Sequence, residues 1–135
     1  MGLERFVEAQ DRVYERVLDE LRAGEKRSHW MWFVFPQIAG LGQSEMARRY
    51  AIGSIAEAEE YMAHPVLGPR LRECVAVLNA TEGRTISQIM GYPDDIKLRS
   101  CLTLFARATA DNQEFLDALS KFYEGEMDRE TLKRL

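Results

Sequence analysis

The feature that most constrains this chain is the segment from Lys26 to Gln37, which reads Lys-Arg-Ser-His-Trp-Met-Trp-Phe-Val-Phe-Pro-Gln. Six consecutive positions of this segment, 30–35, hold four aromatic residues, namely Trp30, Trp32, Phe33 and Phe35. The whole chain contains 2 Trp, 5 Tyr and 6 Phe. An amphipathic helix separates its apolar residues with polar ones, and this segment does not. It therefore predicts the buried centre of a small fold, the wall of a pocket, or both.

Length and charge narrow the class of protein. A chain of 135 residues is long enough to form one core without disulfides or metals, so we expect a single domain over residues 1–135. The net charge of -4 and the pI near 5.3 argue against a nucleic-acid partner. No apolar run approaches the roughly 18 residues that span a bilayer, and the N-terminus lacks a secretory pattern. We therefore expect a cytoplasmic protein without a membrane partner; the residues indicate no oligomeric state.

The spacing of apolar residues predicts an all-α fold. Leu3 to Ala23 reads as one long amphipathic helix, and Ser28 as the cap of a short second helix that ends before Pro36. A doubly buried strand also fits the aromatic segment, but no other segment offers a strand partner. Further caps or capping boxes are indicated by Ser44, Ser54, Thr85, Asn112 and Asp128. We expect a compact single domain of seven or eight short-to-medium helices around one core.

Several motifs resemble one known family. The Lys26–Gln37 segment, followed by Gly40-Leu-Gly42 and Ser44, is similar to members of the family classed as domain of unknown function 1810. The resemblance extends over nearly the whole chain, through Tyr50–Ile52, His64–Gly68, Arg70–Leu71, Lys97–Leu98, Ser100 and Thr103–Phe105. It implies a single, mainly helical domain and supplies no catalytic residues or cofactor. The calpastatin label often given to such proteins does not fit, because calpain-inhibitor repeats are disordered and this chain predicts a packed core.

Two loop-to-helix junctions flank the aromatic segment and suit an anionic ligand. Helix N-termini leave N–H groups free, and such groups bind anions. The first junction adds Lys26, Arg27, the Ser28 hydroxyl and His29. At the second junction, glycines would allow close backbone approach and a hydroxyl is available; its residues are Gly40, Gly42 and Ser44.

Other residues would complete such a site. The rings of Trp30 and Trp32 can stack on a planar group, and Gln37 can both donate and accept hydrogen bonds. If the helix from Ile96 to Ala108 lies beside the aromatic segment, its Lys97 and Ser100 would join the anion pocket. Each of these residues also has a purely structural interpretation: Ser28 as a cap, the rings as core, and the lysines as solvated cations.

The remaining chemistry is limited. Cys74 and Cys101 lie in apolar helical patterns and read as reduced core thiols, and two isolated histidines do not make a metal site. No cofactor and no catalytic residue is indicated. One hypothesis is a small-molecule binding domain that acts on a phosphate-bearing or nucleotide-like ligand in the Lys26–Ser44 region. The alternative is a non-catalytic interaction or regulatory module that docks a partner through the aromatic segment.

Overall fold

Short-range capping chemistry sets the beginning of four of the helices in this chain. The structure is a computed structural model, and it describes residues 2–135. Those residues form ten helices, against the seven or eight expected, because several helices have only four or five residues. They are α1 (Glu4–Asp11), α2 (Tyr14–Arg22), α3 (Met31–Val34), α4 (Glu45–Arg49), α5 (Ile55–Ala63), α6 (Leu67–Ala80), α7 (Ile86–Met90), α8 (Asp94–Ala108), α9 (Gln113–Tyr123) and α10 (Arg129–Lys133).

The predicted caps are confirmed for four helices. The side chains of Ser44, Ser54 and Asp128 each accept a hydrogen bond from a backbone N–H in the first turn of α4, α5 and α10. Thr85 forms a full capping box with Gln88 at the start of α7. Asn112 is different: it precedes α9, but its side-chain amide donates to the carbonyl of Ala106 and does not cap.

The prediction of one continuous helix over Leu3–Ala23 is wrong, because the chain divides into α1 and α2 at Val13. That residue has φ -132° and ψ 0°, outside the helical region. The side chain of Gln10 is buried, and its Nε2 donates to the carbonyl of Phe33 at 2.7 Å and to the hydroxyl of Tyr61 at 3.0 Å. These contacts hold the last turn of α1 against α3 and α5.

The longest helix, α8, is the centre of the fold. It contacts α5, α7, α9 and α10, while α6 packs against α2, α5 and α9. On α8 every residue from Ser100 to Ala106 is buried, which makes it a core helix on nearly all sides. None of the described helices is both long and apolar enough to cross a membrane.

The aromatic segment forms a single helical turn, α3, as the helical interpretation predicted. Ser28 does not cap it, since α3 begins at Met31 and has Trp30 in the cap position without a side-chain hydrogen bond. Beyond α3, an isolated parallel bridge joins Ile38 to Ile52 and closes the loop that carries α4. This arrangement places α4 next to the end of the aromatic segment. No residue of α4 is buried.

Candidate functional site

The first predicted anion junction already holds an anion, the carboxylate of Glu20 on α2. Its Oε1 accepts hydrogen bonds from Arg27 N at 2.8 Å, Ser28 N at 3.2 Å and Trp30 Nε1 at 2.9 Å. Its Oε2 accepts a hydrogen bond from Ser28 Oγ at 2.6 Å. Glu20 is only 9% exposed. The donors that the sequence analysis assigned to a ligand are therefore taken up by the protein's own side chain.

Those hydrogen bonds keep Glu20 ionised. Burial alone would raise the pKa of its carboxyl group. The hydrogen bonds from the Ser28 hydroxyl, from two backbone N–H groups and from the Trp30 indole outweigh burial and lower the pKa to about 2. The junction is thus an internal anion-binding arrangement that is satisfied in the folded chain.

Lys26 is also engaged within the protein. Its Nζ donates to the carbonyl of Ser28 at 2.7 Å, lies 2.9 Å from Asp94 Oδ2, and sits 4.9 Å from the ring centroid of Trp30. Only 7% of its side chain is exposed. Lys97 lies on the other side of the same carboxylate, with its Nζ 4.0 Å from Asp94 Oδ1. The structure therefore brings Lys97 to the first junction, as the spacing on its helix suggested.

Two predicted residues do not join that cluster. Ser100 is buried, and its Oγ donates to Asp128 Oδ2 at 3.1 Å, so it holds α10 against α8. His29 is exposed, and its ring makes no hydrogen bond to any of residues 2–135. Neither side chain faces a shared anion pocket with Lys26.

The apolar part of the segment, residues 30–35, is core with one exception. Trp30, Met31, Phe33, Val34 and Phe35 are buried, Trp30 being 1% exposed. The segment therefore presents no broad apolar surface for docking a partner. Trp32 is only half-buried, and it faces the second junction.

At the second junction the glycines make room for the protein's own atoms. A Cβ on Gly42 would lie 2.5 Å from the Cβ of Ala47 on α4. Gly40 has φ +99°, and a Cβ there would lie 2.8 Å from Arg134 Nε. Ser44 accepts a hydrogen bond from Ala47 N as the N-cap of α4. The sequence analysis assigned the space beside these two glycines to a ligand. In the structure this space is occupied by Ala47 of α4 and by the side chain of Arg134.

A small cavity of about 140 Å³ lies between this junction and the aromatic segment. Four residues named in the sequence analysis line it, namely Trp32, Gln37, Gly40 and Gly42. Arg48 and Tyr50, which the sequence analysis did not select, complete its polar and aromatic wall. The structure therefore separates the predicted residues into a satisfied cluster around Glu20 and an open cavity beside α4.

A larger cavity of about 880 Å³ adjoins α1 on the other side of Tyr50. Its lining includes three arginines and one carboxylate, and Phe33 and Tyr50 supply aromatic surface: Arg5, Glu8, Arg12, Phe33, Arg49 and Tyr50. The sequence does contain a signal for it. Arg5 and Arg12 are seven residues apart, a spacing that places two side chains on one helical face.

The three arginines are not equivalent. Arg5 is anchored, since its Nε donates to the carbonyl of Arg49 at 2.8 Å and its Nη2 to the carbonyl of Ala51 at 2.7 Å. Arg12 and Arg49 are exposed, and no carboxylate of residues 2–135 lies within ion-pair distance of either. The cavity therefore offers two guanidinium groups that need not leave a partner to bind an anion.

Metal and thiol chemistry is not indicated at either cavity. Among residues 2–135 no group of three or more His, Cys, Asp or Glu side chains is placed to hold a metal ion. Both cysteines are buried thiols, and burial raises the pKa of Cys74 to about 12 and that of Cys101 well above its ordinary value. Thiols of this kind are protonated and unreactive at neutral pH.

Comparisons with known proteins agree with the helical fold. A crystal structure of the conserved hypothetical protein Rv1873 from Mycobacterium tuberculosis is 56% identical in sequence and superimposes with a TM-score of 0.97. The match covers 98% of this chain and 95% of that one. A search of curated proteins finds no match. The family model described as protein of unknown function (DUF1810) matches residues 1–135, and the chain belongs to that family.

Proposed function

We propose that this protein binds a small phosphate-bearing molecule in the cavity between α1 and α4. The observation that carries the proposal is the lining of that cavity, which includes Arg5, Arg12 and Arg49 and one carboxylate, Glu8. Its volume of about 880 Å³ lies in the range of about 300–1,000 Å³ typical of small-molecule sites. The ligand site thus lies beside the second junction of the Lys26–Ser44 region, away from Lys26 itself.

Charge supports an anion as the ligand. The whole chain carries a net charge of -4, whereas the cavity wall has three arginines and one glutamate. Arg5 is also paired with Glu57 at 3.6 Å, so Arg12 and Arg49 supply the unpaired positive charge. A concave positive site on an otherwise acidic protein concentrates the electric field and attracts small anions. Guanidinium groups bind phosphate in a bidentate manner, and Arg12 and Arg49 have no competing carboxylate among the described residues.

The fixed surroundings of the cavity support a preformed site. Tyr50 packs on Phe33 and Phe6, with ring centroids 5.3 Å and 5.8 Å apart. Arg5 ties the chain after α4 to α1 through its two backbone hydrogen bonds, so the wall that carries Arg49 is held in place. A preorganised site loses less conformational entropy when a ligand binds.

A thermal-shift series tests this function. The protein is heated with inorganic phosphate, pyrophosphate, ribose 5-phosphate or uncharged ribose, and each ligand is added to the wild type and to Arg12→Ala/Arg49→Ala. A ligand present at about a hundred times its dissociation constant stabilises a protein by about 2.7 kcal/mol, which gives a clear rise in Tm. We expect a rise with at least one phosphate compound, none with ribose, and its loss in the double variant.

The matched control is Arg107→Ala on α8, because Arg107 is exposed and lines neither cavity. This variant should keep the wild-type shift. An equal shift in wild type and Arg12→Ala/Arg49→Ala would place the anion elsewhere and overturn the proposal. The absence of any shift with all three phosphates would overturn it as well.

A further inference from the structure

We infer that Glu57 on α5 is a positioning residue of the proposed phosphate site, although it does not line the cavity. It acts through Arg5, which it holds in the orientation that anchors the main chain at Arg49. This inference rests on the proposed function and assigns to that site a residue outside its wall. The observation that supports it is a series of contacts from the first turn of α5 to the end of α4 by way of Arg5.

Each nitrogen of the Arg5 guanidinium has a partner within the protein. Its Nε and Nη2 donate to the carbonyls of Arg49 and Ala51, and its Nη1 donates to the carbonyl of Gly2. The same Nη1 lies 3.6 Å from Oε2 of Glu57. Arg5 can therefore support the site without binding the anion itself.

Glu57 is itself held by two hydrogen bonds at the start of α5. Its Oε1 accepts a hydrogen bond from Gly53 N at 2.7 Å, and its backbone N–H donates to Ser54 Oγ at 3.1 Å. The side chains of Arg5 and Glu57 are 20% and 22% exposed, so solvent and salt screen this pair less than a surface pair. Glu57 thus gives Arg5 both a charge partner and a fixed direction.

The position of Arg49 depends on this support. No residue of α4 is buried, so core packing does not hold that helix. Arg5 supplies hydrogen bonds to two carbonyls at its end, those of Arg49 and Ala51. Without the Glu57 carboxylate the Arg5 guanidinium is free to turn away, and the main chain at Arg49 loses its anchor. A site that must be ordered during binding has a lower affinity.

Charge alone predicts the opposite effect, which makes the inference testable. Glu57 is negative, so its neutralisation would strengthen anion binding if it acted only through its electric field. Glu8 provides the matched control, because it lines the cavity and forms no ion pair among residues 2–135. Neutralising Glu8 should therefore strengthen phosphate binding, whereas neutralising Glu57 should weaken it.

Isothermal titration calorimetry with inorganic phosphate, pyrophosphate and ribose 5-phosphate measures both effects. Glu57→Gln keeps the shape of the side chain and an oxygen for Gly53 N, and it removes the charge that faces Arg5. We expect it to weaken binding about 5-fold, within the range by which members of one ion-pair network influence each other. Glu8→Gln should strengthen binding. In an Arg5→Met background, Glu57→Gln should no longer weaken it.

The outcomes separate the two proposals. If the wild type binds none of the three ligands, the phosphate site fails, and the positioning role fails with it. If the wild type binds and Glu57→Gln binds equally or more tightly, the phosphate site stands and the positioning role is wrong. A weakening by Glu57→Gln that persists in the Arg5→Met background would show that Glu57 does not act through Arg5, and would also overturn the inference.

The side-chain Nε–H of Arg5 gives a second readout that needs no ligand. It donates to the carbonyl of Arg49 at 2.8 Å, so its NMR signal should exchange slowly with water in the wild type. In Glu57→Gln the exchange should be faster, because Arg5 has lost its charge partner. An unchanged exchange rate would contradict the role given to Glu57.

Discussion

The carboxylate of Glu20 accepts a hydrogen bond from the indole N–H of Trp30, with 2.9 Å between Oε1 and Nε1. This bond joins the last part of α2 to the aromatic segment. Trp30 is almost fully buried, so its N–H has no access to water. The same carboxylate also receives the hydrogen bonds of Arg27 and Ser28. This one acidic group makes the first junction a structural element, so we propose the anion site at the large cavity between α1 and α4 instead.

Replacing this carboxylate should destabilise the fold. In Glu20→Gln the side chain keeps its shape, but the four hydrogen bonds lose their charged acceptor. Hydrogen bonds to charged groups contribute more than neutral ones, so we expect a loss of about 1–3 kcal/mol in the free energy of unfolding. Urea denaturation at pH 7 measures it, with Glu15→Gln on the exposed side of α2 as the control. Equal stability of the two variants would contradict the account.

The same group should give the protein a defined acid sensitivity. The pKa of Glu20 is lowered from its ordinary value of 4.5 to about 2 in the folded state, so ionisation stabilises the fold above the unfolded-state pKa. That contribution is lost as the pH falls through 4.5 toward 2. The difference in stability between wild type and Glu20→Gln should therefore be full at pH 6 and much smaller at pH 2. A constant difference across this range would show that ionisation is not the cause.

The ion pair between Lys26 and Asp94 should be worth more than a surface pair. Their side chains are 7% and 20% exposed, and the two charges are 2.9 Å apart. A double-mutant cycle with Lys26→Met and Asp94→Asn should give a coupling free energy of about 1–3 kcal/mol. The matched control is Glu130 with Lys133, at 3.3 Å and well exposed, for which we expect a much smaller coupling because solvent screens the two charges. Similar coupling in both cycles would refute the structural role of Lys26.

Gly42 should tolerate no side chain while Ala47 is present. A Cβ on Gly42 meets the Cβ of Ala47 at 2.5 Å, and such overpacking costs about 1–3 kcal/mol in stability. Gly42→Ala should lower the urea midpoint, and adding Ala47→Gly should restore part of it. Gly53→Ala is the control, because its Cβ would meet only Glu57 Oε1 at an ordinary 3.5 Å. A normal midpoint for Gly42→Ala alone would mean that α4 moves away freely.

Local signals account for most of the fold that the sequence predicted. The Thr85–Gln88 capping box and the Asp128 cap each involve residues three positions apart, and both form as expected. Beside the break between α1 and α2, Gln10 forms tertiary hydrogen bonds with residues on α3 and α5. No pattern of apolar spacing contains that information.

The candidate site was only partly predictable for a similar reason. Glu20 reads as one more charged residue on an amphipathic helix, and it reaches Ser28 only because the chain reverses at Gly24, where φ is +74°. Arg12 and Arg49 are distant in sequence and meet at one cavity through the packing of α1 against the chain around α4. The sequence analysis selected residues within or just after the aromatic segment, and four of them line the small cavity: Trp32, Gln37, Gly40 and Gly42.

The position of a bound anion tests the central claim most directly. A titration with ribose 5-phosphate, followed in the ¹H–¹⁵N NMR spectrum, reports every backbone amide at once. We predict that the shifted signals belong to residues 5–13 and 48–51, and that the shifts disappear in Arg12→Ala/Arg49→Ala. Shifts centred on residues 26–30 would show instead that the anion displaces Glu20 at the first junction, and would contradict this account.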